Sequence, residues 1–272
     1  MNRNIVRLGI VAAVAVVAIA FVGMRFLPAG DGAGVQPTES VGSPITSPLP
    51  SPAASPMPLQ GGPLVPGTYF IGPDLKDHWM ACPEPPTPGC SNTMLLTFTI
   101  PPYASATVSD PQDGWAGVAG SIWLYPEQNR PPAGAGMVFT RGGWLRSDPC
   151  TPQVDASGEA PVDMPVGPTA DDFATALADH PLLDTTTPVD VTLAAYSGKY
   201  MDLQVPDIAA CTTAYQPWDG NIYAQGSGHR WHLWILDVDG QRVVVETTDY
   251  AGTSAQDRAE LQSIVDSVVI EP

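Results

Sequence analysis

Residues 8–24 run for 17 positions without a charge or a proline and consist mostly of Val, Ala, Ile, Leu and Phe. With Ile5, Val6, Phe26 and Leu27 added, the run crosses a bilayer core at about 1.5 Å per residue. Arg3 and Arg7 stand before it, so the positive-inside rule places the N-terminus in the cytoplasm and everything after Pro28 outside. A cleaved signal peptide is the alternative, but its apolar stretch is usually shorter and ends in a small-x-small site. Here Arg25 and Phe26 follow the run. The pattern therefore predicts an uncleaved, single-pass anchor over residues 1–27.

Residues 28–66 lose this character and turn to Pro, Ser, Gly and Ala, with Ser-Pro at 43–44, 47–48, 51–52 and 55–56. Proline fixes φ and removes a donor, which keeps such a tract out of helices and sheet interiors and favours an extended polyproline II form. At about 3.1 Å per residue it can reach on the order of 100 Å, so it reads as a disordered linker, a stalk.

Residues 67–272 have the alternations of a folded domain. Residues 68–71 and 95–100 are short β-branched and apolar runs bounded by Gly or Pro, as strands are. Residues 115–125 and 136–144 predict further strands. Thr169 followed by Asp172 is a capping-box pattern, and the helix after it is expected to put Phe173, Ala176 and Leu177 on one face and to stop at His180, before Pro181. Residues 189–193 and 199–205 predict a hairpin turning through Tyr196-Ser197-Gly198.

A second hairpin joins residues 230–238 to 241–248 through Asp239-Gly240, a pair suited to a two-residue type I′ turn. Counting outward sets Val238 opposite Gln241, Asp237 opposite Arg242, Leu236 opposite Val243 and Trp234 opposite Val245. The face with Trp234, Leu236, Val243 and Val245 is then core, but the other still holds Trp231, Leu233, Ile235 and Val244, so both faces need cover. Thr253-Ser254, with Gln256 and Asp257 placed for capping, opens a last helix with Leu261, Ile264, Val265 and Val268 at helical spacing. The expected class is α+β, a mainly antiparallel sheet with packed helices.

Charge narrows the partners. The 272 residues carry a formal net charge of -17, distributed as +3 over residues 1–27, -2 over 28–66 and -18 over 67–272. Nucleic-acid binding needs clustered Lys and Arg, which this body lacks, so no nucleic-acid partner is expected. Beyond the membrane, the acidic body suits a basic envelope protein, or its aromatics a cell-wall glycan.

The four cysteines, Cys82, Cys90, Cys150 and Cys211, all follow the anchor and are even in number, which favours disulfides in an oxidising compartment. Three connectivities are possible; the local one joins Cys82 to Cys90 and leaves Cys150 with Cys211. A four-thiolate zinc site would draw on tight C-x2-C or C-x4-C knuckles, and neither spacing occurs. His229-x-x-His232 sits on a strand, where residues three apart point to opposite faces, so the two read as ordinary histidines on a hairpin edge. Asp237-x-Asp239-Gly240 places its Gly too early for a calcium loop. Ser197 and Ser227 stand beside glycines, but neither lies in G-x-S-x-G. No catalytic residue, metal or cofactor is assigned.

Trp231-x-Leu233-x-Ile235-Leu236-Asp237-Val238-Asp239-Gly240, the strand after it and residues 252–261 (Gly-Thr-Ser-Ala-Gln-Asp-Arg-Ala-Glu-Leu) resemble the end of an uncharacterised family of membrane-anchored bacterial extracytoplasmic proteins. Pro66-Gly67-Thr68-Tyr69 and residues 96–101 (Leu-Thr-Phe-Thr-Ile-Pro) resemble its opening strands. The resemblance covers most of residues 64–271. It implies a PsbP-like α/β/α sandwich, a scaffold used mostly for accessory and binding roles, and it carries no site with it. The expectation is a cell-surface, non-enzymatic binding or accessory module; the alternative is a cell-envelope hydrolase using paired carboxylates. Tyr215, Trp218, Asp219, Asn221 and Tyr223, in the Gly-rich connection after Cys211, are the candidate binding residues, since aromatics among Asn and Asp can stack on a sugar or grip a cation. The competing role for Trp218 is a plug at the edge of the core beneath a Cys150–Cys211 bridge.

Overall fold

The computed structural model describes residues 55–72, 80, 93–102, 114–118, 120–124, 132–150, 164–209, 211, 214–218 and 223–272. The expected anchor, residues 28–54 of the stalk, Cys82, Cys90, Asp219 and Asn221 lie outside them. Among the described residues no helix is long and apolar enough to cross a membrane.

In chain order the described elements are β1 (Met57–Pro58), β2 (Gly62–Pro63), β3 (Gly67–Ile71), β4 (Leu95–Ile100), β5 (Trp115–Val118), β6 (Ser121–Leu124), β7 (Ala135–Thr140), β8 (Trp144–Leu145) and β9 (Met164–Pro165). After these come α1 (Ala170–Ala178), β10 (Asp184–Thr185), β11 (Val189–Leu193), β12 (Tyr196–Gln204), β13 (Arg230–Val238), β14 (Gln241–Asp249), α2 (Ala255–Asp266) and β15 (Val269–Glu271). A nine-stranded sheet has the order β10-β12-β13-β14-β7-β6-β5-β2, with β11 also on β12; β1-β3-β4-β15 form a second sheet, and β8 pairs with β9.

The Asp239-Gly240 hairpin forms in the predicted register, with Val238 opposite Gln241, Asp237 opposite Arg242, Leu236 opposite Val243 and Trp234 opposite Val245. Both turn residues take positive φ, 48° and 80°, as a type I′ turn requires. Both faces of this sheet are covered. On one, Leu236, Val238, Val243, Val245, Met137 and Phe139 pack with Phe98, Leu96 and Ile71 of the second sheet and with Leu261, Ile264 and Val265 of α2. On the other, Leu233, Ile235, Val244 and Met201 pack with Phe173, Ala174 and Leu177 of α1 and with Leu145, Tyr215 and Trp218.

This arrangement corrects the expected α+β class and its PsbP-like α/β/α sandwich. The described residues are 45% strand and 13% helix, a β-rich fold. The cause lies in β3 and β4. Leu96, Phe98 and Ile100 point inward while Thr97 and Thr99 point out, and these strands pair with each other and with β15 instead of extending the large sheet. A small sheet assisted by α2, not a layer of helices, therefore closes that side. β15 is three residues long, too short to stand out in the sequence.

Other boundaries shift for local reasons. The stretch 115–125 is two strands, β5 and β6, because Gly120 turns the chain with φ 86°. The β11–β12 turn falls on Ala194 and Ala195, at φ 50° and 69°, and not on Tyr196-Ser197-Gly198. Gly198 sits inside β12, where a Cβ would run into the Ile235 carbonyl of β13. The α1 capping box is as expected: the Asp172 amide donates to Thr169 Oγ1 at 3.1 Å, and the Thr169 amide donates back to Asp172 Oδ2 at 3.0 Å. The helix ends at Ala178, and Ala174 rather than Ala176 completes its buried stripe. Finally, β1 pairs with β3 and β2 with β5, so the folded body starts within the stretch read as linker. Pro58 and Pro63 suit these edge positions, which spare a ladder N–H.

Candidate functional site

Among the candidate binding residues the structure separates two buried rings from one exposed one. Residues 214–218 run beside residues 145–149 in a strand-like pairing: the Arg146 amide donates to the Pro217 carbonyl at 2.9 Å, the Gln216 amide to Pro149 at 2.8 Å, and Leu145 bridges to Trp218. The Cys150–Cys211 disulfide, with Cα atoms 4.8 Å apart, ties the same two segments. Trp218 is thereby pressed edge-on against Trp231, with ring centroids 5.1 Å apart, and against Phe173 at 6.0 Å. Tyr215 lies 6.4 Å from the Trp231 ring. Tyr215 and Trp218 are both fully buried, whereas Tyr223 keeps 49% of its surface exposed. As binding residues Tyr215 and Trp218 are therefore corrected. Burial against Trp231 and Phe173 takes their rings away from any external ligand, and Trp218 is the plug beneath the bridge.

The histidines also move from their expected place. His232 lies on β13, between β12 and β14, and His229, just before that strand, is buried and its carbonyl accepts from the Val205 amide, so neither is on a hairpin edge. His229 is buried, stacked on Tyr250 at 4.4 Å, and its Nδ1 accepts from Trp231 Nε1 at 3.0 Å. Burial pushes its pKa down to about 3, against the pull of Asp249. Among the described residues no group of three His, Cys, Asp or Glu side chains is placed to hold a metal ion.

His232 instead belongs to a charged cluster where β12, β13, β14 and α2 meet. Its Nδ1 lies 2.7 Å from Asp202 Oδ1, and Nε2 is 3.8 Å from Asp249 Oδ2. Tyr200 donates its hydroxyl to Asp202 at 2.6 Å. Asp249 is nearly closed off from solvent and takes Arg230 Nε on Oδ1 at 2.7 Å and Arg258 Nε of α2 on Oδ2 at 2.6 Å. Both guanidiniums also reach the Tyr250 carbonyl. Burial alone would raise the Asp249 pKa, but its hydrogen bonds from His232 and Arg258 and the charges of His232 and Arg230 hold it below the usual carboxylate range. Burial likewise works against the His232 charge, and the hydrogen bonds and charges of Asp249 and Asp202 outweigh it and raise the imidazole pKa. An imidazole faced by a carboxylate on each nitrogen is an imidazolium clamp, not a general base with a free lone pair.

The sequence reading missed this cluster, although part of it was within reach. Extending the predicted hairpin register to its end sets Arg230 opposite Asp249, as observed. Arg258 arrives from a helix whose docking no strand count predicts.

The cluster makes stability depend on pH in a defined direction. His232 has a higher pKa in the folded body than the ordinary 6.5, so its contribution is complete below 6.5 and is lost as pH rises through the folded value. The melting-temperature gap between the parent chain and His232→Asn should therefore narrow on raising the pH from 5.5 to 8.5. A gap that is constant or widens would show that the imidazole is not held charged.

No family model matches this chain, and no curated protein or solved structure matches it. The class that the described residues define is a β-rich fold, with two main sheets and two helices among them.

Proposed function

We propose that the chain is a single-pass, membrane-tethered module whose extracytoplasmic body binds a partner at the bacterial cell envelope, in the manner of the anchored family that its terminal hairpin and last helix resemble. The observation that carries this reading is the order of segments: a basic head, a 17-residue apolar run, a Ser-Pro stalk and a cysteine-bearing body. A disulfide across residues 150 and 211 suits the oxidising side of the membrane. The most polar cluster described also favours binding over hydrolysis, because Asp249 is neutralised by two arginines and Asp202 is engaged by Tyr200 and His232. A glycosidase-like pair needs two carboxyls about 5 to 9 Å apart and free to exchange protons.

A body at -18 attracts basic partners over a range that salt cuts to roughly 10 Å at 0.1 M. Protease added to intact cells should release the body, and crosslinking in the native envelope should join it to a basic protein or to wall glycan, with the protein adduct fading as salt rises. A body that stays protected together with a cytoplasmic marker refutes the orientation. Release of products from wall glycan by the purified full-length chain would transfer the case to the hydrolase.

A further inference from the structure

On the α1 side of the large sheet, Glu246 of β14 is a carboxyl with only 1% of its surface exposed, and its Oε2 has no hydrogen-bond partner. It stands opposite Leu233 on β13 and Val138 on β7. Thr248, two residues along the same strand, and Thr140, opposite Val244 on β7, share this face, and the Oγ1 of each is also buried and unpartnered. Three more unpartnered atoms lie on the same side around the Trp231 ring: Tyr215 Oη, Trp218 Nε1 and His229 Nε2. His229 Nε2 is a donor, because Nδ1 accepts from Trp231, whose indole only donates.

Native proteins leave only a few such groups per hundred residues, and each costs about 1–3 kcal/mol when truly orphaned. Six in one layer point to something that satisfies them. The three oxygens at Glu246 define where. Residues two apart on a strand are separated by about 7 Å, and diagonal neighbours on paired strands by roughly 7–8 Å, so one bridging molecule can link Glu246 to Thr248 on one side and a second can link it to Thr140 on the other. One buried water takes two to four polar partners, and a water on either side of Glu246 meets at least two here, the carboxyl and one threonine hydroxyl.

We propose that Glu246, Thr248 and Thr140 form an internal hydration site, sealed on the α1 side of the sheet, which holds ordered water and keeps the Glu246 carboxyl neutral as a hydrogen-bond donor to it. Among the described residues no charged group acts on the carboxyl: Lys199 of β12, opposite Ile235, pairs with Asp171 and Asp190, and the buried Arg146 and His180 belong to the cover. β13 presents Trp231, Leu233 and Ile235 to this face and β7 presents Gly136, Val138 and Thr140, none of them charged. α1 contributes Phe173, Ala174 and Leu177 to the layer, and the covering segment contributes Tyr215 and Trp218. The charged side chain on the same face of β14 is Arg242, which donates to the Arg141, Gly142, Gly167 and Thr169 carbonyls. Burial accordingly pushes the Glu246 pKa up to about 8. Three unpartnered oxygens from one acid and two hydroxyls are too few for a metal, and water is the ligand whose hydrogen bonding suits them.

The test uses the full-length chain in detergent. An acid whose folded pKa lies above its unfolded value stabilises fully below the unfolded value, 4.5, and loses that contribution as pH rises through about 8. The urea midpoint of the parent chain should fall steadily from pH 5 to pH 8.5, and Glu246→Gln, which keeps the shape and stays neutral, should fall less steeply, keeping the part that His232 contributes. Equal slopes in the two chains would overturn the neutral acid. Nuclear Overhauser transfer from long-lived water to the Thr140 and Thr248 methyls should be present in the parent chain and reduced in Thr248→Val. No such transfer in the folded parent chain would overturn the hydration site.

Discussion

Trp218→Ala should cost the body about 3–5 kcal/mol, the usual range for emptying a fully buried Trp site, while Tyr223→Ala should change stability by less than about 0.5 kcal/mol. For a body of this size the first figure corresponds to a fall in melting temperature on the order of 10 °C. The difference follows from what each ring touches. Trp218 meets Trp231 and Phe173, which belong to the central strand β13 and to α1, so its loss opens a cavity between the large sheet and its cover. That cover is pinned by the backbone hydrogen bonds of Arg146 and Gln216 and by the Cys150–Cys211 bridge, and so cannot collapse far into the space. Tyr223 is half exposed and leaves no cavity behind. Calorimetry on the two variants separates the cases, and equal, small effects would return Trp218 to the surface role. Partner binding then discriminates further: a loss in Tyr223→Ala at unchanged melting temperature would locate a contact at that ring.

How much of this was legible in the sequence depends on the range of each interaction. The Asp239-Gly240 hairpin was readable because the turn residues and the alternation on both sides agree, and the requirement that both faces be covered followed from Trp231, Leu233, Ile235 and Val244 alone. The capping box at Thr169 is equally local. The second sheet was not readable as such, because β3 and β4 look the same whether they extend one sheet or begin another; β15, far along the chain, helps decide it. The turn at Ala194-Ala195 was placed wrongly because positive φ is expected of Gly, and Gly198 drew the turn toward itself although its role is close strand approach. Aromatics in a Gly-rich connection suit a plug and a binding loop alike, so Tyr215 and Trp218 could be sorted only by their contacts. Glu246 left a trace that went unused. It follows Val243-Val244-Val245, and strand alternation puts it on the face of Val244, a face already shown to need cover. An acid at such a position is a buried acid.

Replacing both Cys150 and Cys211 by Ser should lower stability by about 4 kcal/mol, since the bridge closes a loop of 61 residues that contains α1 and β9 to β12. Most of that figure is chain entropy restored to the unfolded state, so the folded body should survive at room temperature while its denaturation midpoint drops. The bridge also joins the two segments that hold Trp218 in place, residues 145–149 and 214–218. Its loss should therefore be felt locally before it is felt globally. Amide exchange should quicken first at Arg146, Gln216 and Ala224, whose hydrogen bonds pin the cover, and least at the β13–β14 ladder. The same logic makes the bridge and the indole interdependent, because both act through one piece of cover. With the cysteines already replaced, Trp218→Ala should cost clearly less than it does in the bridged chain. Full additivity of the two losses would mean that the disulfide acts on the unfolded chain alone and that Trp218 is held by the sheet and α1 without it.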